Sequence, residues 1–271
     1  MSQDPQADAV AKKRVVYTMP GTDAVTVRRD EPYLGADGGA LPMDLYYPPD
    51  STSGAPTPAV IFVTGYPDAG ARQRLGRPLK EMGSYVSWAE LAAASGLAAV
   101  TYTNSDPATD VHAVLRHLRQ NAASLGIDEN RLGIWACSGN APNALSVVMQ
   151  DAHEYLKCAV LCYALTLDLD GSTGIADAAS HWGFANPCGG KSVDDLPRDV
   201  PLFIARAGQD QMPGLNSALD RFLAKAVACN LPVTFVNHSE APHAFDLFHD
   251  SDTSREIIRG LLGFMRFHLL G

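Results

Sequence analysis

Apolar runs of strand length alternate with helical segments through most of this chain, and this alternation constrains its fold more than any other feature. Residues 59–65 form a continuous apolar run, which is typical of a strand covered on both faces. Residues 105–126 repeat apolar side chains at helical spacing, and Asp106 followed by Pro107 is a common helix start. The alternation predicts an α/β fold with a mostly parallel sheet and helices on both faces.

The predicted strands and helices follow one another in a simple order. An antiparallel pair comes first, at residues 24–29 and 41–48, with a turn-rich segment between the two strands. The remaining strands are predicted at residues 59–65, 97–103, 131–137, 158–165, 201–207 and 232–237. The main helices between and after them are predicted at residues 87–96, 105–126, 145–149, about 216–228 and about 254–269.

We expect a single domain over residues 14–271, because a chain of 271 residues is an ordinary length for one α/β domain. Residues 1–13 are polar and are predicted to form a flexible tail. The polar stretch at residues 166–199 interrupts the alternation, but it comes too late and is too short to be a domain of its own. We expect it to form an excursion over the carboxyl edge of the sheet, where such sheets bind their ligands.

The charge and the cysteines of the chain disfavour several classes of function. A formal charge of −9 and a pI near 5.3 argue against nucleic acid or an anionic membrane as partner, because both attract positive charge. We expect no signal peptide and no membrane span, since no apolar run has the required length. Five cysteines at scattered spacings fit reduced thiols and predict a cytoplasmic protein. A homodimer is expected only because such dimers are common.

Ser138 lies directly after the predicted strand at residues 131–137 and before helix-forming sequence. The carboxyl end of such a strand is the place of the nucleophile in the G-x-S-x-G elbow, where a serine occupies a strained turn. The two glycine positions hold Ala136 and Asn140; alanine is nearly as small as glycine, and asparagine tolerates unusual backbone angles. An ordinary serine in a strand-end turn is the alternative interpretation.

Cys137 is the rival nucleophile, because thiolates are intrinsically stronger nucleophiles than alcohols. An elbow centred on Cys137 would place Trp135 and Gly139 at the two small positions. An indole does not fit between strand and helix at the first of them, so the packing favours Ser138. Cys137 is then predicted to be a buried neighbour of the nucleophile.

A serine nucleophile needs a histidine to take its proton and a carboxylate to orient that histidine. With an elbow of this kind the order along the chain is serine, acid, histidine. Asp210 follows the strand at residues 201–207 and is the predicted acid; a helix-capping role is its alternative, and Asp168 and Asp170 are alternative acids. Among eight histidines, His243 lies in the loop after the last strand and is the predicted base, with a loop histidine of no role as the alternative.

Two backbone N–H groups are also needed to stabilise the oxyanion of an acyl-transfer reaction. Gly139, the residue after the nucleophile, is the first predicted donor. The loop at residues 64–70 follows a predicted central strand and offers the second donor, for which Tyr66 is the candidate. A simple Tyr-Pro turn is the alternative interpretation of that loop.

Taken together, these motifs resemble those of the α/β-hydrolase family, in the branch similar to dienelactone hydrolases and small carboxylesterases. The resemblance covers residues 15–271 and rests on VTGYPDAG, LGIDENRLGIWACSGN, FIARAGQD and APHAFD. It implies an eight-stranded sheet and no metal or organic cofactor. It also implies the roles proposed above for five residues, namely Ser138, Asp210, His243, Tyr66 and Gly139. Thr64 departs from the family, because relatives often have histidine there in H-G-x-P.

The expected reaction is hydrolysis of a small carboxylic ester, lactone or thioester through an acyl-enzyme on Ser138. Trp182 and Phe184 are candidates for an apolar wall around the acyl group, or they form a packed surface patch. The basic stretch at residues 72–80 could hold a substrate carboxylate, but a solvated helix face explains most of its charges.

Two other functions stay open at this point. A hydrolase scaffold could bind a small molecule without turning it over, because fold alone does not establish activity. A dienelactone hydrolase-type enzyme that depends on Cys137 is the other alternative. Nucleotide binding is disfavoured, since no strand leads into G-x-G-x-x-G and Ala185 stands where a phosphate loop ending in CGGKS needs its first glycine.

Overall fold

The computed structural model describes residues 5–49, 51, 55–150 and 154–271. The described strands are β1 (Thr26–Leu34), β2 (Ala40–Tyr47), β3 (Thr57–Phe62), β4 (Ala98–Tyr102), β5 (Ile127–Cys137), β6 (Leu156–Cys162), β7 (Leu202–Ala207) and β8 (Val233–His238). The described helices are α1 (Pro5–Lys12), α2 (Asp68–Leu75), α3 (Gly83–Ala94), α4 (Pro107–Gln120), α5 (Ala122–Leu125), α6 (Ala141–Met149), α7 (Gly174–Trp182), α8 (Leu215–Ala228), α9 (Phe245–Phe248) and α10 (Asp252–Leu270).

The described strands form one eight-stranded sheet, in the order β1-β2-β4-β3-β5-β6-β7-β8. β2 runs antiparallel to both of its neighbours, β1 and β4, and the other neighbouring pairs are parallel. The predicted α/β fold with a mostly parallel sheet is confirmed. The chain leaves β3 toward β4 on one side and returns to β5 on the other. The carboxyl edge between β3 and β5 is therefore the topological switch point, where ligands bind.

Helices cover both faces of the sheet, which explains the continuous apolar runs. Successive residues of a strand point to opposite faces. In β5, Ile134 and Ala136 pack in the layer that contains α4, α6 and α8, whereas Trp135 packs in the layer that contains α3 and α10. All three side chains are buried. A strand covered in this way has no polar face, so its sequence lacks polar alternation.

The helix α4 begins and packs as its sequence predicts. The Asp106 carboxylate accepts a hydrogen bond from the Ala108 N–H at 3.2 Å, and Pro107 occupies the first turn of the helix. The predicted apolar stripe of this helix is buried, and it consists of Val111, Val114, Leu115 and Leu118.

The N-terminal segment differs from the predicted flexible tail at residues 1–13. The described part forms α1, in which Ala11 is fully buried; the first four residues lie outside the described part of the chain. The segment after α1 is held to the domain, because the Val16 N–H donates to Asp246 O at 2.8 Å. An isolated helix of eight residues is not stable in water. Tertiary contacts, which the polarity of the sequence does not reveal, therefore account for the difference.

The polar stretch at residues 166–199 contains α7 and lies over the carboxyl edge of the sheet. Asp168 starts α7, because its two carboxylate oxygens accept hydrogen bonds from two N–H groups in the first turn, at 2.8 and 2.9 Å. The segment after α7 is tied to the loop after β3, since the Ala185 N–H donates to Gly65 O at 2.8 Å. The excursion therefore covers the switch point of the sheet.

Three further features bear on the class of protein. Within the described ranges, no helix combines the length and the apolar character that crossing a membrane requires. The five cysteines all have free thiols. The described residues also contain no group of three or more histidine, cysteine, aspartate or glutamate side chains placed to hold a metal ion.

Candidate active site

Ser138 lies at the carboxyl end of β5, in a short 3-10 turn at Ser138–Asn140 that leads directly into α6. Its φ angle of 52° falls in the left-handed region, which residues other than glycine and asparagine rarely adopt. The Ser138 carbonyl oxygen accepts a hydrogen bond from the Leu165 N–H at 3.2 Å, which ties the turn to the segment after β6. The structure thus has a strained strand-to-helix turn that begins with a serine.

A cavity of about 640 Å³ lies beside this turn. Ser138 and His243 both line it, so the structure brings these two candidate residues to one site. Apolar side chains form most of the remaining wall, among them Val10, Leu75, Leu79, Met82, Trp88 and Leu247. The cavity is therefore suited to the apolar part of a small molecule.

Asp210 orients His243 from the loop after β7. The His243 Nδ1 atom lies 2.7 Å from Asp210 Oδ2, and the Asp210 side chain is fully buried. A second bond holds the carboxylate, because the Met212 N–H donates to Asp210 Oδ1 at 2.9 Å. An ionised carboxylate only accepts hydrogen bonds, so Nδ1 carries the proton and Nε2 is the ring atom that can accept one. The structure therefore joins two of the three candidate triad residues directly.

The Tyr66 and Gly139 N–H groups lie on two loops that meet beside Ser138. Neither N–H takes part in the turn, loop and cap hydrogen bonds found among the described residues, so both can donate to a ligand. A Cβ at Gly139 would lie 2.7 Å from the Tyr66 hydroxyl oxygen. A Cβ at Gly65 would lie 2.8 Å from the Asn140 Cα and would overlap the Gly139 carbonyl oxygen. Glycine at both positions allows this close approach.

The two candidate wall residues have different places in the structure. The Trp182 side chain is 42% exposed and lines the cavity. Phe184 is buried, and its ring packs edge-on against the Tyr66 ring with centroids 5.8 Å apart. A Cβ at Gly139 would also lie 2.7 Å from Phe184 Cδ1. Trp182 is thus part of the wall, whereas Phe184 packs on the two loops that carry the free N–H groups.

Cys137 also lines the cavity, but its surroundings keep the thiol protonated. Burial, and in second place the negative charge of Asp246, raise the pKa of the Cys137 thiol to about 12. The thiolate, which is the nucleophilic form of cysteine, is therefore scarce at neutral pH. The chemistry of this turn favours Ser138 over Cys137 as its reactive group.

Comparisons with known proteins agree with the topology. The chain matches no protein-family model and no curated protein sequence. A bacterial heroin esterase has a TM-score of 0.68 at 14% identity, and the alignment covers 98% of each chain. An esterase from the fungus Rhizomucor miehei has a TM-score of 0.68 at 15% identity, over 91% of this chain and 84% of that chain. LAE6, an α/β-hydrolase enzyme from the metagenome of Lake Arreo, Spain, has a TM-score of 0.66 at 18% identity, over 93% and 87%. The chain has the α/β-hydrolase fold.

Thr64 stands where relatives with the α/β-hydrolase fold often have histidine, and two amide side chains support the loop instead. Asn104 Nδ2 donates to Thr64 Oγ1 at 2.9 Å and to Tyr66 O at 3.1 Å. Asn143 Nδ2 donates to Thr64 O at 2.9 Å. Sequence reasoning missed both residues. The signal for Asn104 was its position, because it follows β4 at the carboxyl edge of the sheet.

The elbow of this α/β-hydrolase fold accommodates asparagine for a different reason from the one expected. Asn140 has a φ angle of −84°, so an unusual backbone angle does not explain its presence. Its side chain joins the elbow to the loop after β3, because the Gly65 N–H donates to Asn140 Oδ1 at 2.6 Å. Ala136 is fully buried, and its methyl group fits at the other glycine position. Both departures from G-x-S-x-G are therefore compatible with the elbow.

The basic stretch at residues 72–80 does not act as a unit in this hydrolase fold. Lys80 is buried and forms ion pairs with Asp44 and a second aspartate, both at 2.8 Å, so its role is structural. Arg74 lines the cavity, and its Nη1 donates to Trp182 O at 3.1 Å. Among the described residues of this stretch, Arg74 is thus the charged side chain that reaches the cavity.

Proposed function

We propose that this protein is a serine hydrolase that cleaves small carboxylic esters, and that it resembles the small carboxylesterases. One observation carries the proposal: a strained elbow places Ser138 at a cavity that also holds His243, which a buried carboxylate orients. Acyl transfer through a serine requires this arrangement. Two of the solved structures that share the fold, the bacterial heroin esterase and the Rhizomucor miehei enzyme, are named as esterases, which supports the same class of reaction.

The proposed reaction begins with the transfer of the Ser138 hydroxyl proton to His243 Nε2 as Oγ attacks the ester carbonyl carbon. The oxyanion that forms accepts hydrogen bonds from the Tyr66 and Gly139 N–H groups. Asp210 keeps its bond to Nδ1 and stabilises the imidazolium. The carbon–oxygen bond to the alcohol then breaks, and the alcohol leaves with the proton from His243.

The second half of the reaction releases the acid from the acyl-enzyme. His243 Nε2 takes a proton from water as the water oxygen attacks the acyl carbonyl carbon. The bond from that carbon to Ser138 Oγ breaks, and Oγ recovers the proton from His243. The carboxylic acid leaves, and the enzyme returns to its starting state. These steps use side chains and backbone N–H groups of this chain alone.

The cavity favours an ester with a bulky apolar group. Its volume of about 640 Å³ is in the range of sites that enclose drug-sized molecules. Trp88 and Trp135 line it together with aliphatic side chains from α2 and the segment that follows. Lactones and thioesters react by the same steps and belong to the same proposal.

Replacing Val10 by tryptophan is expected to narrow the range of substrates. Val10 lines the cavity from α1 and is 37% exposed, so a larger side chain fills the cavity without disturbing the core. We expect kcat/KM for an octanoate ester to fall about tenfold, because the tryptophan would displace about two methylene groups of the acyl chain from the cavity. The kcat/KM for an acetate ester should stay nearly constant. Val227→Trp, at an exposed site on α8, is the matched control. An unchanged ratio of octanoate to acetate would show that α1 does not bound the substrate site.

Replacing Asn140 by glycine is expected to lower kcat about 2- to 10-fold, although it restores the glycine of the common elbow motif. The variant loses the acceptor of the Gly65 N–H and with it one restraint on the adjacent Tyr66 N–H. Steady-state kinetics on an activated ester measures the effect. Asn140→Ala also lacks this acceptor but does not add the flexibility of glycine, so its kcat should fall by a similar factor. A faster Asn140→Gly enzyme would contradict this account.

Labelling with a fluorophosphonate, followed by peptide mass spectrometry, tests the proposed function. We expect a phosphonate on Ser138, because only an activated serine attacks this reagent rapidly. A label on Cys137 would instead identify a dienelactone hydrolase-type enzyme. No label on the folded protein would mean a scaffold that binds a small molecule without turning it over. The 2.7 Å bond between Asp210 and His243 supports the first outcome, since a binding scaffold does not need it.

The proposal also covers location and partners. We propose a cytoplasmic protein, because its five thiols are free and suit a reducing compartment. Its charge of −9 makes a small molecule a better partner than nucleic acid or an anionic membrane. A homodimer stays a prediction from the frequency of such dimers, which light scattering of the purified protein would check.

A further inference from the structure

Asp246 is a second carboxylate in the wall of the cavity, three residues after His243. Its side chain is buried, with the residue 2% exposed. The Trp88 Nε1–H donates to Asp246 Oδ2 at 2.7 Å, and the Tyr163 hydroxyl donates to Asp246 Oδ1 at 2.8 Å. Burying a carboxylate costs free energy that well-packed apolar residues would not. Its presence in a mostly apolar wall therefore calls for a reason besides packing.

Tyr163 connects this carboxylate to the candidate base. The Tyr163 ring meets the His243 ring edge-on, with centroids 4.9 Å apart. Tyr163 directly follows β6 and has a φ angle of 37°, which is unfavourable for a residue with a side chain. The Tyr163 N–H donates to Ala205 O at 2.7 Å, which holds the backbone in this conformation. The fold thus maintains a strained backbone that keeps the tyrosine ring against the histidine.

Asp246 also anchors the loop that carries His243. Its side chain is bonded to Trp88 of α3, and its carbonyl oxygen accepts the Val16 N–H of the N-terminal segment at 2.8 Å. Ala244, the residue between His243 and α9, has a φ angle of 54°. The turn after the histidine is therefore tight, and Asp246 fixes its far end to two other parts of the domain.

His243 is the cationic group whose charge acts most strongly on Asp246. The titratable neighbours come from β5, β6 and the loop itself, and they are Cys137, Cys162, Tyr163 and His243. Burial raises the pKa of both cysteines and of Tyr163, so these groups are neutral at pH 7. Burial raises the pKa of Asp246 above its usual value; the hydrogen bonds from Trp88 and Tyr163 and the charge of His243 oppose this rise and favour the ionised form. The attraction is mutual, so an ionised Asp246 stabilises the protonated imidazole.

We propose that Asp246 is a positioning residue for the histidine base. Through Tyr163 it fixes the ring of His243, and its negative charge stabilises the imidazolium that forms when Ser138 attacks. Asp210 is the carboxylate in direct contact with the ring, and Asp246 acts on the same ring at longer range. This inference rests on the proposed hydrolase function.

Asp246→Asn keeps the size of the side chain and removes its charge. We expect the acid limb of its pH profile of kcat/KM to move to lower pH by about one unit, because the protonated base loses a nearby anion. Tyr163→Phe keeps the carboxylate and the edge-on ring contact but removes the hydroxyl that bonds Asp246. We therefore expect kcat to fall about 3- to 10-fold, with a smaller shift of the acid limb than in Asp246→Asn. If Asp246 and Tyr163 had a purely structural role, the melting temperatures of both variants would fall, but the acid limb and kcat would not change.

Trp88→Phe is the matched control, because it removes a hydrogen bond to the same carboxylate without touching His243. Its melting temperature should fall like that of Asp246→Asn, while its acid limb should move less than that of Asp246→Asn, because the side chain at position 246 can still ionise. The inference would be overturned if the acid limbs of Asp246→Asn and the wild type coincided and the kcat of Tyr163→Phe were unchanged. If Asp246→Asn does not fold, the kcat of Tyr163→Phe alone decides.

An NMR titration of the His243 ring separates this inference from the proposed function. Fluorophosphonate labelling of the wild type tests whether Ser138 is the nucleophile, and its result does not depend on the Asp246→Asn variant. The titration midpoint of the His243 ring should be lower in Asp246→Asn than in the wild type, whether or not the wild type is labelled. Equal midpoints in a labelled wild type would overturn the role of Asp246 and leave the hydrolase intact.

Discussion

Replacement of Ser138 by alanine is expected to lower kcat for an activated ester by about 10⁵- to 10⁶-fold while the protein stays folded. The Ser138 Oγ atom forms the bond to the acyl group, and no other described side chain at the elbow is an activated nucleophile, since burial raises the pKa of Cys137 to about 12. Substrate still binds, because alanine leaves the cavity walls in place. End-point assays with milligram amounts of enzyme measure the residual rate, and a thermal melting curve checks that the variant is folded.

Cys137→Ala is the control for that loss. It changes the adjacent residue, which lines the same cavity, and we expect its kcat to stay within about threefold of the wild type because no step of the reaction uses the thiol. The opposite pattern, an inactive Cys137→Ala beside an active Ser138→Ala, would move the nucleophile to the cysteine. The protein would then belong with the thiol-dependent hydrolases.

Replacement of Asp210 by asparagine is expected to lower kcat about 10⁴-fold. The carboxylate only accepts hydrogen bonds, and at 2.7 Å it selects the His243 tautomer that carries its proton on Nδ1. An amide can donate to Nδ1 instead, which places the proton on Nε2, where it prevents the ring from acting as a base. The rate of fluorophosphonate labelling should fall with kcat, because both depend on deprotonation of Ser138.

Asp168→Asn is the matched control, since Asp168 is one of the two alternative acids, with Asp170, that the chain order allows. Its carboxylate starts α7 with two hydrogen bonds, so the variant should lose about 1 kcal/mol of the free energy of unfolding and keep its activity. Urea denaturation and ester hydrolysis measure the two effects. An active Asp210→Asn enzyme and an inactive Asp168→Asn enzyme would exchange the roles of the two residues.

The sequence predicted the architecture well, because the features that indicate strands and helices are local. Hydrophobic periodicity placed every strand of the sheet, and the cap at Asp106 placed the start of α4. Position along the chain then placed Ser138 after β5 at the switch point of the sheet. The same rule put Asp210 after β7 and His243 after β8, and the structure joins these two side chains.

Several features of the structure that the sequence did not indicate depend on contacts between distant segments. Residues 5–12 look like a polar tail, yet Ala11 is buried against the domain. Asn140 looks like a defect in the elbow, yet it binds the Gly65 N–H from a loop 75 positions away. Phe184, a candidate for the substrate wall or a packed patch, has its ring against that of Tyr66. None of these contacts has a periodicity or a motif that a single sequence displays.

The sequence by itself determined the order of the strands and of the main helices between them, and the positions of Ser138, Asp210 and His243 after three of those strands. These follow from side-chain polarity at neighbouring positions, which fixes the secondary structure and, through it, the topology. The tertiary structure alone decided which groups touch: the Asp210–His243 bond, the bond from the Asn143 amide to the loop after β3, and the bond from Trp88 to the buried Asp246. It also decided the raised pKa of Cys137. Bond partners and pKa values depend on distances of a few ångströms between residues far apart in the chain, and those distances exist only after the chain has folded.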